Sequence, residues 1–284
     1  MRDFSDEPAQ LTALINSLGN FSAVVTFNGR AFDLPLLRTR LILARLAFPL
    51  ANVPHLDLLW PARRLWRESL PSCALSSLEQ YVLGVHRASQ DVPGYMIPSL
   101  YFDYLRTGDA SPLVGVFYHN VQDILSQVTL AVRMCRILEV PFQAESSPCE
   151  LLGIARMYER AGLLEASCRA YASAVEGQLP AKEKELALRR LSYLFKRIGR
   201  REEAVAIWNA MLEREDETSL YAYTELAKHY EWVTGDIRLA AELTERATFL
   251  AVRRRELAEL EHRLNRLRRK LNNCGNSSTK STEG

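Results

Sequence analysis

The sequence has few cysteines and no excess of either charge. Its 284 residues include five cysteines, none of them in a CxxC pair, and 36 Lys+Arg against 34 Asp+Glu. An odd, scattered set of cysteines argues against a disulfide framework and indicates free thiols in a reducing compartment. With a formal net charge of +2, any affinity for nucleic acid or anionic lipid would have to come from a local patch.

The sequence also lacks the long apolar run, of about 18 residues, that a membrane-spanning helix needs. Its first ten residues show no basic stretch followed by an apolar one, so they do not resemble a signal peptide. We therefore expect a cytoplasmic protein without a membrane partner. The composition, 48% hydrophobic and 25% charged, is typical of soluble globular proteins, and the length suggests two domains.

The first third of the sequence reads as an α/β unit. Residues 21–27 are β-rich and almost continuously apolar, which predicts a strand buried on both faces, and residues 55–59 predict a second short strand. Asn28 and Gly29 give a tight turn after the first strand, and Asp33 follows at the carboxyl end, where α/β sheets bind ligands. The alternative is that Asp33 merely caps the helix that follows.

A long helix is predicted from Leu113 to about Leu138. Seven residues lie on its apolar side: Phe117, Val121, Ile124, Leu125, Val128, Val132 and Cys135. His119 and Asp123 are four positions apart and share one face, whereas Tyr118 points away. A carboxylate and an imidazole placed in this way can hold a cation and accept a proton, but such pairs also arise as simple helical neighbours.

The two signals together resemble a known arrangement. Phe27-Asn-Gly-Arg-Ala-Phe-Asp33, followed about ninety residues later by His119-Asn-Val-Gln-Asp123, resembles the second and third motifs of the DEDD exonucleases. Four intervening stretches are similar to the YprB-type ribonuclease H-like family: His55–Trp66, Leu75–Glu79, Asp91–Gly94 and Ile97–Asp109. The resemblance covers residues 5–138.

The resemblance implies an α/β ribonuclease H-like fold and a 3′–5′ exonuclease that hydrolyses phosphodiesters with two divalent ions. Asp33 and Asp123 would be metal ligands, and carboxylate oxygens favour Mg²⁺ or Mn²⁺. His119 is the candidate general base, with Tyr118 as the alternative. The nucleic acid, a single-stranded end of DNA or RNA, would contact Asn28, Asn120, Arg63, Arg64 and Arg67.

The second half of the sequence is helical and weakly repetitive. Gly162, Gly199 and Gly235 recur at spacings of 37 and 36 residues, with small and aromatic residues around each. A turn glycine between helices that approach closely is typical of helical hairpin repeats, and this part resembles degenerate tetratricopeptide repeats. They could hold a protein partner.

The last segment is basic. Residues 253–270 contain eight Lys/Arg and three Glu, which indicates either a solvated capping helix or a contact with nucleic acid. Residues 272–284 predict a polar tail that need not fold. We thus expect a partial ribonuclease H-like domain over 1–143, tetratricopeptide-like repeats over 144–252, and a basic helix with a disordered tail over 253–284.

One part of the exonuclease pattern is missing. The first motif, Asp-x-Glu on an opening strand, has no counterpart before Asn28, so we expect a sheet without its first strands and a site with two of four ligands. Either Met1 is an internal methionine of a longer enzyme, or the chain is a truncated relative that no longer cleaves. In both cases we expect this chain by itself to have little or no nuclease activity. The alternative function is a non-catalytic scaffold that binds nucleic acid or protein.

Overall fold

The computed structural model describes residues 4–87, 91–139, 146–213 and 219–279. The chain divides into two compact units, Met1–Ile154 and Ala155–Gly284. The predicted domain boundary at residues 143 and 144 lies outside the described residues, and the division between the units falls inside a helix. No helix in the described ranges combines the length and the apolar character needed to cross a bilayer.

The first unit combines two short strands with a series of helices. In chain order these are α1 (Glu7–Leu18), β1 (Val24–Thr26), α2 (Asp33–Leu43), β2 (His55–Asp57), α3 (Leu59–Trp66), α4 (Leu75–Leu78), α5 (Ile97–Thr107) and α6 (Leu113–Glu139). A π-helical turn, Glu79–Leu83, extends α4. The unit closes on the start of α7 (Pro148–Arg160), where Gly153 lies so close to the Arg64 carbonyl that a Cβ would approach it to 2.3 Å.

The two strands pair in parallel, with Val24 opposite His55 and Thr26 opposite Asp57. β1 is shorter than the predicted strand over residues 21–27, and the prediction that both its faces are buried is wrong. Val25 is 51% exposed, and Leu56 on β2 is 50% exposed. The physical reason is that the sheet described here has two strands, which leaves apolar side chains on it uncovered.

The long helix α6 has nearly the predicted bounds, but the predicted apolar side is not its buried side. Leu130, Met134 and Ile137 are buried, and α4, α5 and the π-helical turn pack against α6. The predicted apolar residues are exposed, from Phe117 and Val121 to Val128 and Val132. The helix therefore carries two apolar sides, of which the described residues cover one.

The second unit is all-helical. It continues α7 with α8 (Leu164–Glu176), α9 (Ala181–Arg197), α10 (Arg201–Leu212), α11 (Ser219–His229), α12 (Ile237–Leu250) and α13 (Arg254–Thr279). Each helix from α8 onward packs against the next in the chain. The predicted helix pairs are present, and Gly162, Gly199 and Gly235 all adopt φ between 77° and 85° at the turns, where a side chain would be strained.

The last helix is longer than predicted. α13 continues to Thr279, so the expectation of an unfolded tail from Asn272 is wrong up to that residue, and residues 280–284 lie outside the described ones. Leu264 and Leu267 on α13 are buried against Ala240 and Ala241 of α12, which fixes the basic helix to the unit.

Candidate active site

A buried carboxylate holds the turn that follows β1. Asp57, 7% exposed at the end of β2, accepts hydrogen bonds from the backbone N–H of Asn28 at 2.8 Å and of Arg30 at 2.9 Å. Asn28 has φ 64°, and a Cβ on Gly29 would come within 2.6 Å of the Thr26 side chain, so this turn requires glycine. The role of Asp57 was not predicted, although Asp57 stands within the predicted strand over residues 55–59.

The turn delivers Asp33 to the first position of α2. Asp33 is exposed, and the residue that precedes the helix is Phe32, with no side-chain cap. The interpretation of Asp33 as a simple helix cap is therefore wrong. Within the described ranges its carboxylate has no hydrogen-bond partner, so both oxygens are open to a ligand.

The two motifs meet at one cleft of about 850 Å³. Its walls include five of the predicted site residues: Asn28, Asp33, Arg63, Asn120 and Asp123. Two carboxylates ninety positions apart in the sequence thus face the same space, together with one guanidinium and three amides, of which Gln127 was not predicted.

Four of the predicted site residues do not line this cleft: Arg64, Arg67, Tyr118 and His119. Arg67 lines a smaller neighbouring cavity of about 420 Å³, which Arg63 also lines. Arg64 is exposed on α3, while Tyr118 is half-buried on α6. The structure therefore does not bring Arg64 or Tyr118 to Asp33 and Asp123.

A charged network surrounds Asp123. Arg87 donates to both oxygens of Glu79, at 2.6 and 2.7 Å, and to Asp123 Oδ1. It also lies 3.2 Å from Asp91. These bonds, led by the one to Glu79, raise the pKa of Arg87 above its usual range, because each carboxylate favours the charged guanidinium. Glu79 is 2% exposed, so Arg87 is its compensating charge.

His119 joins the same network. Its Nδ1 lies 2.8 Å from Asp91 Oδ1, and its Nε2 lies 3.5 Å from Asp123 Oδ2, so His119 and Asp123 do share a face. Burial raises the pKa of Asp91, but hydrogen bonds from His119 and Arg87 outweigh it and the net shift is downward. The roles of Glu79, Arg87 and Asp91 were not predicted, although Glu79 and Asp91 stand in stretches that carry the family resemblance.

Most of the first unit is similar to a known protein family. A family model described as the RNase_H superfamily matches residues 1–135. This part of the chain is therefore similar to RNase H-like domains.

This part of the chain and the helices after it also match a bacterial protein. "Uncharacterized protein YprB" of Bacillus subtilis (strain 168) is 31% identical over 255 residues, which are 88% of this chain and 61% of that protein. The chain thus spans about three fifths of the curated relative. No solved structure matches this chain.

The RNase H-like superfamily generally uses divalent metals, so the donors at the cleft need to be tested against such an ion. The exposed carboxylate of Asp33 and the second oxygen of Asp123 are hard donors of the kind that Mg²⁺ and Mn²⁺ prefer. The number of donors is small: within the described ranges, no group of three or more His, Cys, Asp or Glu is arranged to hold a metal. The cleft therefore fits such an ion in chemistry but supplies only part of its ligands.

Proposed function

We propose that this chain is part of a nuclease that hydrolyses phosphodiester bonds, as a 3′–5′ exonuclease on a single-stranded end of DNA or RNA. The observation that carries the proposal is the meeting of Asp33 and Asp123 at one cleft. The match of residues 1–135 to the RNase_H superfamily supports it.

The predicted site residues have the following roles in this proposal. Asp33 and Asp123 would hold Mg²⁺ or Mn²⁺, and such ions stabilise charge on phosphate and lower the pKa of bound water. His119 would accept a proton, with Asp91 fixing the orientation of its ring through Nδ1. Asn28, Asn120 and Arg63 line the same cleft and would bind the nucleic acid, by hydrogen bonds from the amides and by charge from the guanidinium.

Two carboxylates are fewer than a two-metal site needs. We therefore propose that the remaining ligands lie outside the described residues, and that a polypeptide of these 284 residues hydrolyses nucleic acid slowly or not at all. Arg87 adds to this expectation, because its guanidinium already occupies one oxygen of Asp123.

The contact between Arg87 and Asp123 also favours a second function, a non-catalytic scaffold that binds nucleic acid or protein. In such a protein Arg87 would permanently take the place of a metal cation beside Asp123, and the helix pairs of the second unit, which resemble tetratricopeptide repeats, would hold a protein partner.

Hydrolysis of a 5′-labelled single-stranded oligonucleotide with Mg²⁺ or Mn²⁺ tests the two functions. We expect the longest natural protein that contains this chain to shorten the oligonucleotide from its 3′ end. Asp33→Asn and Asp123→Asn should each abolish the reaction, and the exposed Asp103→Asn should leave it unchanged. If neither ion supports hydrolysis, or if hydrolysis is unchanged by both substitutions, the result favours the scaffold.

A further inference from the structure

The second unit buries one carboxylate under three cations. Glu231 lies in a π-helical turn, Tyr230–Thr234, and its side chain is completely buried. It accepts hydrogen bonds from Arg263 at 2.7 Å, from Arg266 at 2.8 Å and from Lys270 at 2.9 Å. One negative charge cannot neutralise three positive ones, so this cluster has an excess of two positive charges.

An exposed aromatic ring stands beside these cations. Trp232, the residue after Glu231, is 64% exposed. Lys270 Nζ lies 4.8 Å from the centre of its ring and Arg266 Cζ lies 5.4 Å from it, both within cation–π range. The cations fix the ring in place while much of the indole remains open to solvent.

The same helix supplies another positive charge next to the cluster. Arg269, between Arg266 and Lys270 along α13, is exposed and has no ion pair within the described ranges. Arg268 differs, because it pairs with Glu245 at 2.9 Å. We call Trp232, Arg263, Arg266, Arg269 and Lys270 the basic aromatic surface.

We propose that the basic aromatic surface binds single-stranded nucleic acid, with a base stacked on Trp232 and phosphates against the cations. Proteins that hold single strands without regard to sequence combine these two elements, because every base has a flat face and every nucleotide a phosphate. The inference goes beyond the proposed hydrolysis, since it needs neither metal nor catalysis and uses residues of the second unit alone.

Charge and packing favour a single strand over the other polyanions. In a duplex the bases are already stacked on one another, which leaves nothing for Trp232 to stack on. A membrane-surface helix needs a free apolar face, but α13 buries Leu260, Leu264 and Leu267 within the unit. A single strand is the anion that uses both the ring and the excess charge.

Fluorescence anisotropy of a labelled 20-nucleotide oligo-dT tests this inference with the full chain in EDTA, so that hydrolysis plays no part. We expect Trp232→Ala to weaken binding at least about fivefold and Trp232→Phe to retain most of it, since stacking of a base contributes that much or more. Trp60→Ala is the matched control, because Trp60 is 54% exposed but lies in the first unit. Lys270→Gln should reduce the salt dependence by about 0.7 in the log–log slope, and Arg238→Gln, at an exposed pair elsewhere on the unit, should not.

The results separate this inference from the proposed nuclease. Loss of binding with Trp232→Ala but not with Trp60→Ala supports the surface, whether or not the protein cleaves. Equal binding by wild type and Trp232→Ala overturns it, as does binding that is lost with Arg63→Ala alone. Tight binding to phosphatidylserine vesicles through Trp232, with none to the oligonucleotide, would also overturn it and indicate a membrane surface. Circular dichroism spectra matching wild type would show that each variant is folded.

Discussion

Each unit of the chain buries a glutamate in a π-helical turn, but the charges around the two glutamates are opposite. In the first unit Arg87 is the cation among three carboxylates, those of Glu79, Asp91 and Asp123. In the second unit Glu231 alone faces Arg263, Arg266 and Lys270. One cluster therefore carries an excess of negative charge and the other an excess of positive charge.

In the two proposals above, one structural feature serves two kinds of ligand. A buried glutamate needs a hydrogen-bonded cation, and in both units a π-helical turn, a feature often found at functional sites, places it there. Beyond that anchor, the surplus charge decides what else the cluster can bind. Surplus carboxylate beside the cleft suits a metal cation, and surplus cation beside an exposed indole suits a polyanion.

We call Glu231 with Arg263, Arg266 and Lys270 the basic cluster. Removal of Glu231 from it should have the largest effect on stability. Glu231→Gln leaves three cations close together with no buried negative charge, which should lower the free energy of unfolding by about 3–5 kcal/mol. Urea denaturation followed by circular dichroism measures this. The control is Glu242→Gln, whose partner Arg238 is 85% exposed, and which should change stability by less than about 0.5 kcal/mol. Equal effects of the two substitutions would contradict the account.

We call Arg87 with Glu79, Asp91 and Asp123 the acidic cluster. Removal of Arg87 would leave its carboxylates without their cation. Arg87→Gln leaves the buried Glu79 without its cation, and we expect a loss of about 3 kcal/mol in the free energy of unfolding, the lower end for a buried ion pair because Arg87 is partly exposed. Because a divalent ion can supply the missing positive charge, Mn²⁺ should raise the melting temperature of this variant more than that of the wild type.

The exposed pair of Arg106 with Asp103 provides the control, since Arg106→Gln removes the same charge from the surface. If Mn²⁺ leaves the melting temperature of Arg87→Gln unchanged, the acidic cluster does not accept a metal in place of the guanidinium.

Acid should weaken the basic cluster by a smaller amount. Burial raises the pKa of Glu231, but hydrogen bonds from Lys270 and Arg266 outweigh it and hold the pKa below the ordinary value of 4.5. A lowered pKa means that the carboxylate stabilises the fold above about pH 4.5 and loses this contribution as the pH falls through its folded value. Each tenfold difference in the acidity of Glu231 between the folded and unfolded states corresponds to about 1.4 kcal/mol. The stability difference between wild type and Glu231→Gln should thus be constant near pH 7 and shrink below about pH 4.5. A difference that grows with acidity would contradict this sign.

The parts of the candidate site that follow local rules could be predicted from the sequence. Asp33 was predicted from its place after a strand, and His119 with Asp123 from their spacing on a helix, and both depend on chain geometry alone. The turn glycines of the second half were found for the same reason, since a left-handed turn requires glycine.

The contacts that depend on packing were not predictable in this way. Glu231 meets its three cations across 32 to 39 positions of sequence, and Arg87 meets Asp123 across 36. The prediction of the buried side of α6 was also wrong. Periodicity marks an apolar side but cannot tell which of two such sides the neighbouring helices will cover.

The most direct test of the central claim, that Asp33 and Asp123 act on one cation, is a Mn²⁺ titration of the full chain, with the free ion measured by electron paramagnetic resonance. The account predicts that Asp33→Asn and Asp123→Asn each weaken Mn²⁺ binding at least about tenfold, since even the outer partners of metal ligands contribute that much. The double variant should bind little worse than either single one, because the two carboxylates share the ion. Binding that survives both substitutions unchanged, or that responds to only one of them, would contradict it.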